Sequence, residues 1–233
     1  MSPGSWRPEL MDDPAVDPEV LADSHDHLAF LTIASGARRA IWIHARALLP
    51  RRGPVRIVDV GAGGGDVLRY LRLRLEGRLT LGLGVEPHAA TAASASLRCR
   101  GLGGLRFTRA DAAALPLPAD SMNLAMINMA LHHIEPRARV RALAELARVG
   151  GGRVLVTDLT RSILNRLGAR LLSATIWRGN PVVRADAPVS VERGFRRSEL
   201  VELARSAGLR DVRVRGLYGH RLILTAGGGA DGP

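Results

Sequence analysis

Between residues 55 and 159, short apolar runs rich in β-branched residues alternate with helical patterns, and few folds accept that order. The runs are VRIVDV (55–60), LTLGLGVE (79–86), LRFTRAD (105–111), SMNLAMINM (121–129) and RVLVTDL (153–159). Between them, DVLRYLRLRL (66–75) places Val67, Leu68, Leu71 and Leu75 on one helical stripe. A second helix carries Ala92, Ala95 and Ser96, and RARVRALAELARV (137–149) ends at Gly150-Gly151-Gly152. Strands that are apolar throughout belong to a sheet covered on both faces, so the order implies an α/β fold with a mostly parallel sheet. SELVELARSAG (198–208) is a capped helix closing at glycine, and DVRVRGLYGHRLILTA (211–226) reads as two strands joined by a turn.

The flanks behave differently. Residues 1–16 carry Pro3, Pro8 and Pro14 with little periodicity and read as a loose arm. Asp17-Pro18-Glu19 has the spelling of a helix start, and a further helical pattern over 37–49 is stopped by Pro50. Residues 161–197 break the alternation with helical stretches, Gly179, Pro181 and Pro188, as an inserted lid would. The expected organisation is an arm and helical cap over 1–50, the main domain over 51–226 containing the 161–197 insert, and a disordered tail over 227–233.

The loop behind the first strand, VDVGAGGGDV (58–67), narrows the ligand. It sits where open parallel sheets bind ligands, beyond the carboxyl end of a strand. A P-loop is excluded because Lys and Ser/Thr are missing after the glycines. A dinucleotide fingerprint wants glycine in the sixth place counted from Gly61, where this chain has Asp66. Asp59 ahead of the loop repels a pyrophosphate and favours an ammonium. The loop therefore suits a nucleoside with a cationic or zwitterionic tail.

Asp59-x-Gly61-x-Gly63-x-Gly65 resembles motif I of the class I S-adenosylmethionine-dependent methyltransferases. Further family segments follow in order. Glu86 ends the second strand, Asp111 lies in RADAAALPLPADSMN, and NMALHHIE (128–135) follows the fourth strand. The resemblance implies a Rossmann-like fold with a seven-stranded, mostly parallel sheet whose last strand is antiparallel. It implies S-adenosyl-L-methionine as cofactor and S-adenosyl-L-homocysteine as product. It also implies donor contacts from Asp59, Gly61, Ala62, Gly63, Glu86, Pro87, Asp111, Ala112 and Asn128. Glu86 would take the ribose hydroxyls and Asp111 the exocyclic amine. Asn123, and Pro87-His88 after Glu86, depart from the usual pattern without disturbing it.

Methyl transfer to a hydroxyl needs a proton removed, and histidine is the usual group for that near neutrality. His133, with His132 beside it, is the expected catalytic base; a structural role for both stays open. His25 and His27 sit two apart on a helix and would not share a face, so no metal site is expected. His220 reads as structural or exposed.

The acceptor must be read from the accessory parts. Leu28, Phe30, Leu31 and Ile33 in the cap and Leu167, Leu171, Leu172, Ile176 and Trp177 in the insert would roof an apolar pocket, or simply pack as core. The arrangement is similar to small bacterial methyltransferases that tailor phenolic polyketides, phenolic lipids or quinone precursors. That likeness implies a small hydrophobic, phenolic acceptor and O-methylation. C-methylation of a quinone or polyketide ring, an RNA-directed enzyme and a non-catalytic S-adenosylmethionine-binding protein stay open. Relatives with this insert often show His-Asp-Gly where this chain has Ala185-Asp186-Ala187.

Composition bears on partners and place. The net charge of +11 comes with no lysine, and the arginines are scattered through helices, so nucleic acid is not the expected partner. Residues 128–131 read Asn-Met-Ala-Leu where nucleic-acid amino-methyltransferases carry Asn/Asp-Pro-Pro-aromatic, and aromatics are 3% of the chain. No run approaches the roughly 20 apolar residues of a membrane span. Cys99 is the single cysteine and no signal peptide is spelled at the N-terminus, so a cytoplasmic monomer or homodimer is expected.

Overall fold

The computed structural model describes residues 9–13 and 15–227, without the side chains of Pro18, His25, Leu28, Leu31 and Ala34. The tail over 228–233 and the first eight residues of the arm lie outside the described residues. Helix α1 (Pro18–Ala34) begins after Asp17, whose Oδ1 accepts the Glu19 amide. Helix α2 (Ala37–Leu48) follows it.

The alternating region forms β1 (Val55–Val60), α3 (Asp66–Leu75), β2 (Leu79–Glu86), α4 (Ala89–Arg98), β3 (Leu105–Arg109), β4 (Leu124–Asn128), α5 (Arg139–Val149) and β5 (Val154–Leu159). The insert is two helices, α6 (Ile163–Ala174) and α7 (Pro181–Arg193). Helix α8 (Arg197–Ser206) and the pair β6 (Arg213–Leu217) and β7 (Arg221–Ala226) complete the fold.

The strands lie in the order β3-β2-β1-β4-β5-β7-β6, and β7 alone runs against its neighbours. This is the Rossmann-like sheet expected from the sequence. Its two faces are covered by separate apolar clusters. One joins Leu143 and Leu146 of α5 and Leu200 of α8 to Val58, Ile127 and Val156. The other joins Ile41 of α2 and Leu68 and Leu71 of α3 to Ile57, Leu124 and Met126. The stripe Val67, Leu68, Leu71 and Leu75 is buried as its spacing requires.

Some expectations need correcting. The third strand stops at Arg109, so Asp111 lies beyond it, in a bridge with Ala114. The fourth begins at Leu124; Asn123 instead ties the starts of the central strands β1 and β4, its Oδ1 accepting the Arg56 amide. Ser96 faces solvent. The arm is not loose throughout: Leu10–Asp12 form a 3-10 turn against α7, with both Asp186 carboxylate oxygens accepting the amides of Leu10 and Met11.

Candidate functional site

The glycine loop leaves β1 and turns into α3. The Gly61 amide donates to Val85 O at 2.8 Å and the Gly65 amide to Ala62 O at 2.9 Å, which folds the loop back over the end of β2. Gly61 has φ +68°, and a Cβ there would collide with the Ala130 side chain, so the position admits only glycine. The loop backbone can thus lie directly beneath a ligand.

Glu86 ends β2 and points back at this loop, accepting the Gly63 amide. Burial pushes its carboxyl up to about 7, against the lowering effect of that hydrogen bond and of His133. Asp59 lies one layer deeper. It is 1% exposed, its Oδ1 has no hydrogen-bond partner among the described residues, and burial with the nearby Glu86 charge holds its pKa well above the ordinary value. Unlike the other expected donor residues, Asp59 does not reach the cavity wall; it supports the loop from below. Asp111 closes its own turn, Oδ1 accepting the Ala113 amide. Asn128 Oδ1 accepts from Thr157 Oγ1.

Past β4, a 3-10 turn over Leu131–His133 presents the two histidines with ring centroids 4.3 Å apart. His132 is buried. Its Nδ1 lies 2.6 Å from Asp158 Oδ1 and its amide donates to Asp158 Oδ2, so the last acid of β5 holds the ring. His133 Nδ1 lies 2.9 Å from Asp12 Oδ1, and its Nε2 lies 3.6 Å from Glu9 Oε2. Burial opposes the charge on His133, but the bond to Asp12 and the charges of Glu9, Asp12 and Asp158 outweigh it and raise its pKa to about 9. At neutral pH His133 already carries its proton.

Glu9 ties the arm to this network: Oε1 accepts from Arg193 Nη1 at 2.6 Å and Oε2 from Ser190 Oγ at 2.7 Å. Glu9, His132 and His133 have the donor types of a metal site and lie within 4.8 Å of one another. The Arg193 guanidinium already neutralises that carboxylate, and the His133 proton would have to leave, so the cluster balances its charge from its own side chains.

A single cavity of about 1440 Å³ joins these parts. Ligand pockets usually span about 300–1,000 Å³, so this one has room for a nucleoside donor and a second molecule. Gly61, Ala62, Gly63, Glu86, Asp111 and Ala112 wall one end, with Pro87 and Asn128 nearby. Leu164, Leu167, Leu171, Leu172 and Trp177 of the insert line the cavity too, as do His132 and His133. His220, expected to be structural or exposed, also lines the cavity, with Nδ1 3.0 Å from Tyr218 O. His27 is absent from the lining and its Nδ1 contacts Asp23 O within α1.

Sequence reasoning missed Glu9, Asp12, Asp158, Arg193 and also Arg221, which lines the cavity. Asp158 had a signal, an acid at the carboxyl end of a core strand. Glu9 and Asp12 lay in a segment without periodicity, and the two arginines were hidden among many.

The family model described as "Methyltransferase domain" matches residues 57–152. The demethylmenaquinone methyltransferase of Thermus thermophilus is 33% identical over 109 residues, 46% of this chain and 48% of that protein. The chain thus spans about half the length of that relative. The ubiquinone/menaquinone biosynthesis C-methyltransferase of Syntrophotalea carbinolica is 27% identical over 75% of this chain and 77% of its own. Among solved structures, an S-adenosylmethionine-dependent methyltransferase of Aquifex aeolicus superposes with a TM-score of 0.66 at 16% identity, covering 91% of this chain and 98% of the other. Human N-acetylserotonin methyltransferase, solved with S-adenosylmethionine, gives 0.66 at 16% identity, covering 94% and 62%. Both superpositions are likenesses of fold.

Proposed function

From the premise that residues 57–152 are a methyltransferase domain on the S-adenosylmethionine-dependent class I fold, we propose that the protein methylates a small hydrophobic phenol or quinol. The observation that carries this reading is the shared cavity: the glycine loop and Glu86, the apolar side chains of the insert and the histidine pair all line it.

The donor end fits its ligand. The glycine loop leaves its backbone open to the cavity, and Glu86 is an acceptor for ribose hydroxyls. S-adenosylmethionine supplies an activated methyl group as a sulfonium. The chain's own task is to hold an acceptor in line and manage one proton. His132 suits that task better than His133. With Nδ1–H donating to Asp158, its Nε2 keeps a lone pair, the arrangement of an oriented general base. His133, already protonated, is better suited to holding Glu9 and Asp12 in place.

O-methylation follows most simply from a base that takes a hydroxyl proton. C-methylation is favoured by a separate observation, the quinone-pathway names of both curated relatives. The same deprotonation serves both, since an ionised hydroxyl makes the adjacent ring carbon nucleophilic. Turnover should be assayed with an alkylphenol, a prenylated naphthoquinol and RNA, and products located by NMR. Methyl transfer to either aromatic supports the proposal, and the position of the new methyl group chooses between the two outcomes. Transfer to RNA alone defeats it.

A further inference from the structure

Arg221 opens β7 and lines the same cavity as His132 and His133. It is 5% exposed, yet its Nε and Nη1 have no hydrogen-bond partner among the described residues. Its β7 position faces Leu159 on β5 and Leu217 on β6, neither of which offers a side-chain acceptor. Asp158, one residue before Leu159, is the acid whose charge acts on Arg221, but its oxygens already accept from the amides of His132 and Leu159 and face the His132 ring. Arg139, another cation near Asp158, is employed elsewhere. Its guanidinium donates to the Ile134 and His132 carbonyls and lies 4.9 Å from the Phe195 ring centre.

A buried guanidinium with unused donors is costly to maintain, and proteins keep such groups where a ligand completes them. Each guanidinium N–H left without an acceptor is suited to an anionic oxygen, which a charge-assisted hydrogen bond then completes. We propose that Arg221 is the acceptor-binding residue of an oxyanion subsite, which holds the ionised ring oxygen of a phenolate or quinolate beside His132. This deepens the reading above and rests on it.

The subsite has two consequences. It binds the deprotonated acceptor in preference to the neutral one, so the proton taken by His132 leaves an anion already paired. It also excludes aromatic acceptors whose oxygen is capped, because they leave the guanidinium unpaired.

The test uses the full chain with S-adenosylhomocysteine bound. Wild type, Arg221→Lys and Arg221→Met are titrated with a para-nitrophenol bearing an alkyl tail, and with its methyl ether. The phenolate absorbance reports the ionisation of the bound phenol. In wild type the bound phenol should ionise about one pH unit lower than in buffer, and bind about tenfold more tightly than the ether. Arg221→Met should lose both effects, and Arg221→Lys should keep part of each. S-adenosylhomocysteine affinity should be equal in all three. Without acceptor, Arg221→Met should melt no lower than wild type, since it removes an unpaired buried charge; a purely structural arginine would give the reverse.

An unshifted phenol in wild type, or a Met variant that behaves like wild type, overturns the subsite. If neither nitrophenol nor ether binds wild type, the phenolic reading fails, and an alkyl-substituted benzoate then decides the subsite. The benzoate must bind wild type and not Arg221→Met, and its failure overturns the subsite as well.

Discussion

Glu86 and His133 both titrate above their ordinary values, Glu86 because burial disfavours its charge and His133 because the neighbouring acids Asp12, Glu9 and Asp158 outweigh burial. Glu86, raised to about 7, is half protonated near neutrality, while ribose hydroxyls need an ionised acceptor. S-adenosylhomocysteine affinity should therefore rise with pH up to about 7 and level off above it, by up to tenfold per unit on the acid side. Calorimetry at several pH values checks this, and Glu86→Gln should bind weakly with no such slope; an equal slope in that variant would place the titration elsewhere. His133 is raised to about 9 from 6.5, so the folded state holds its proton more tightly than the unfolded chain does. That stabilisation is fully present below pH 6.5 and is lost as pH climbs through 9, amounting to at most about 3 kcal/mol. Denaturant titrations of wild type and His133→Asn should converge across that window. The same residues separate the two possible bases. If His132 takes the proton, His132→Ala should lower kcat by about 100-fold or more, with donor affinity unchanged. A rate that climbs until about pH 9 and vanishes only in a His133 variant would return the role to His133.

At the level of elements, the arm and the insert decide the acceptor side. Asp186 on α7 holds the amides of Leu10 and Met11, and Arg193 on the same helix pairs with Glu9, so arm and insert lock each other. Glu9→Gln weakens that lock and removes a charge that sustains His133. Turnover should fall by about tenfold or more while S-adenosylhomocysteine still binds, because Glu86 and the glycine loop are untouched; loss of donor binding would mean that the arm supports the donor site instead. The sequence made the alternating strands and helices legible because their burial follows a repeating period: β1, α3 and β2 lie where the patterns of apolar residues place them. The glycine loop stood out because strand ends in a parallel sheet are where ligands bind, and Glu86 through the resemblance; both line the cavity. The arm was opaque for the converse reason. A 3-10 turn of three residues has no periodicity to detect, and its anchors lie more than 170 positions away in the chain. Arg221 was opaque because an arginine becomes informative only when its neighbours are known to offer it nothing.

For the whole molecule, the cavity runs between the sheet's ligand edge and a roof of helices, so ligand occupancy and global stability must be linked. Asp59, Glu86 and Asp66 all have carboxyls raised by burial, so the donor end is strained towards receiving positive charge. S-adenosylmethionine brings a sulfonium and an ammonium; S-adenosylhomocysteine brings only the ammonium. Either ligand at about 100 times its dissociation constant should add roughly 2.7 kcal/mol, a rise of about 5–10 °C in melting temperature for a chain of this size. The insert offers a second lever. Leu164, Leu167 and Leu171 line the cavity mouth yet are largely exposed. A hydrophobic acceptor that covers them should raise the melting temperature further once the donor site is filled, and the increment should grow with the length of its alkyl tail at about 0.8 kcal/mol per buried methylene. Leu167→Asp should remove the dependence on tail length and raise KM for long-tailed acceptors, while leaving the donor shift intact. An increment that ignores tail length in wild type would show that the acceptor's tail leaves the cavity without touching α6.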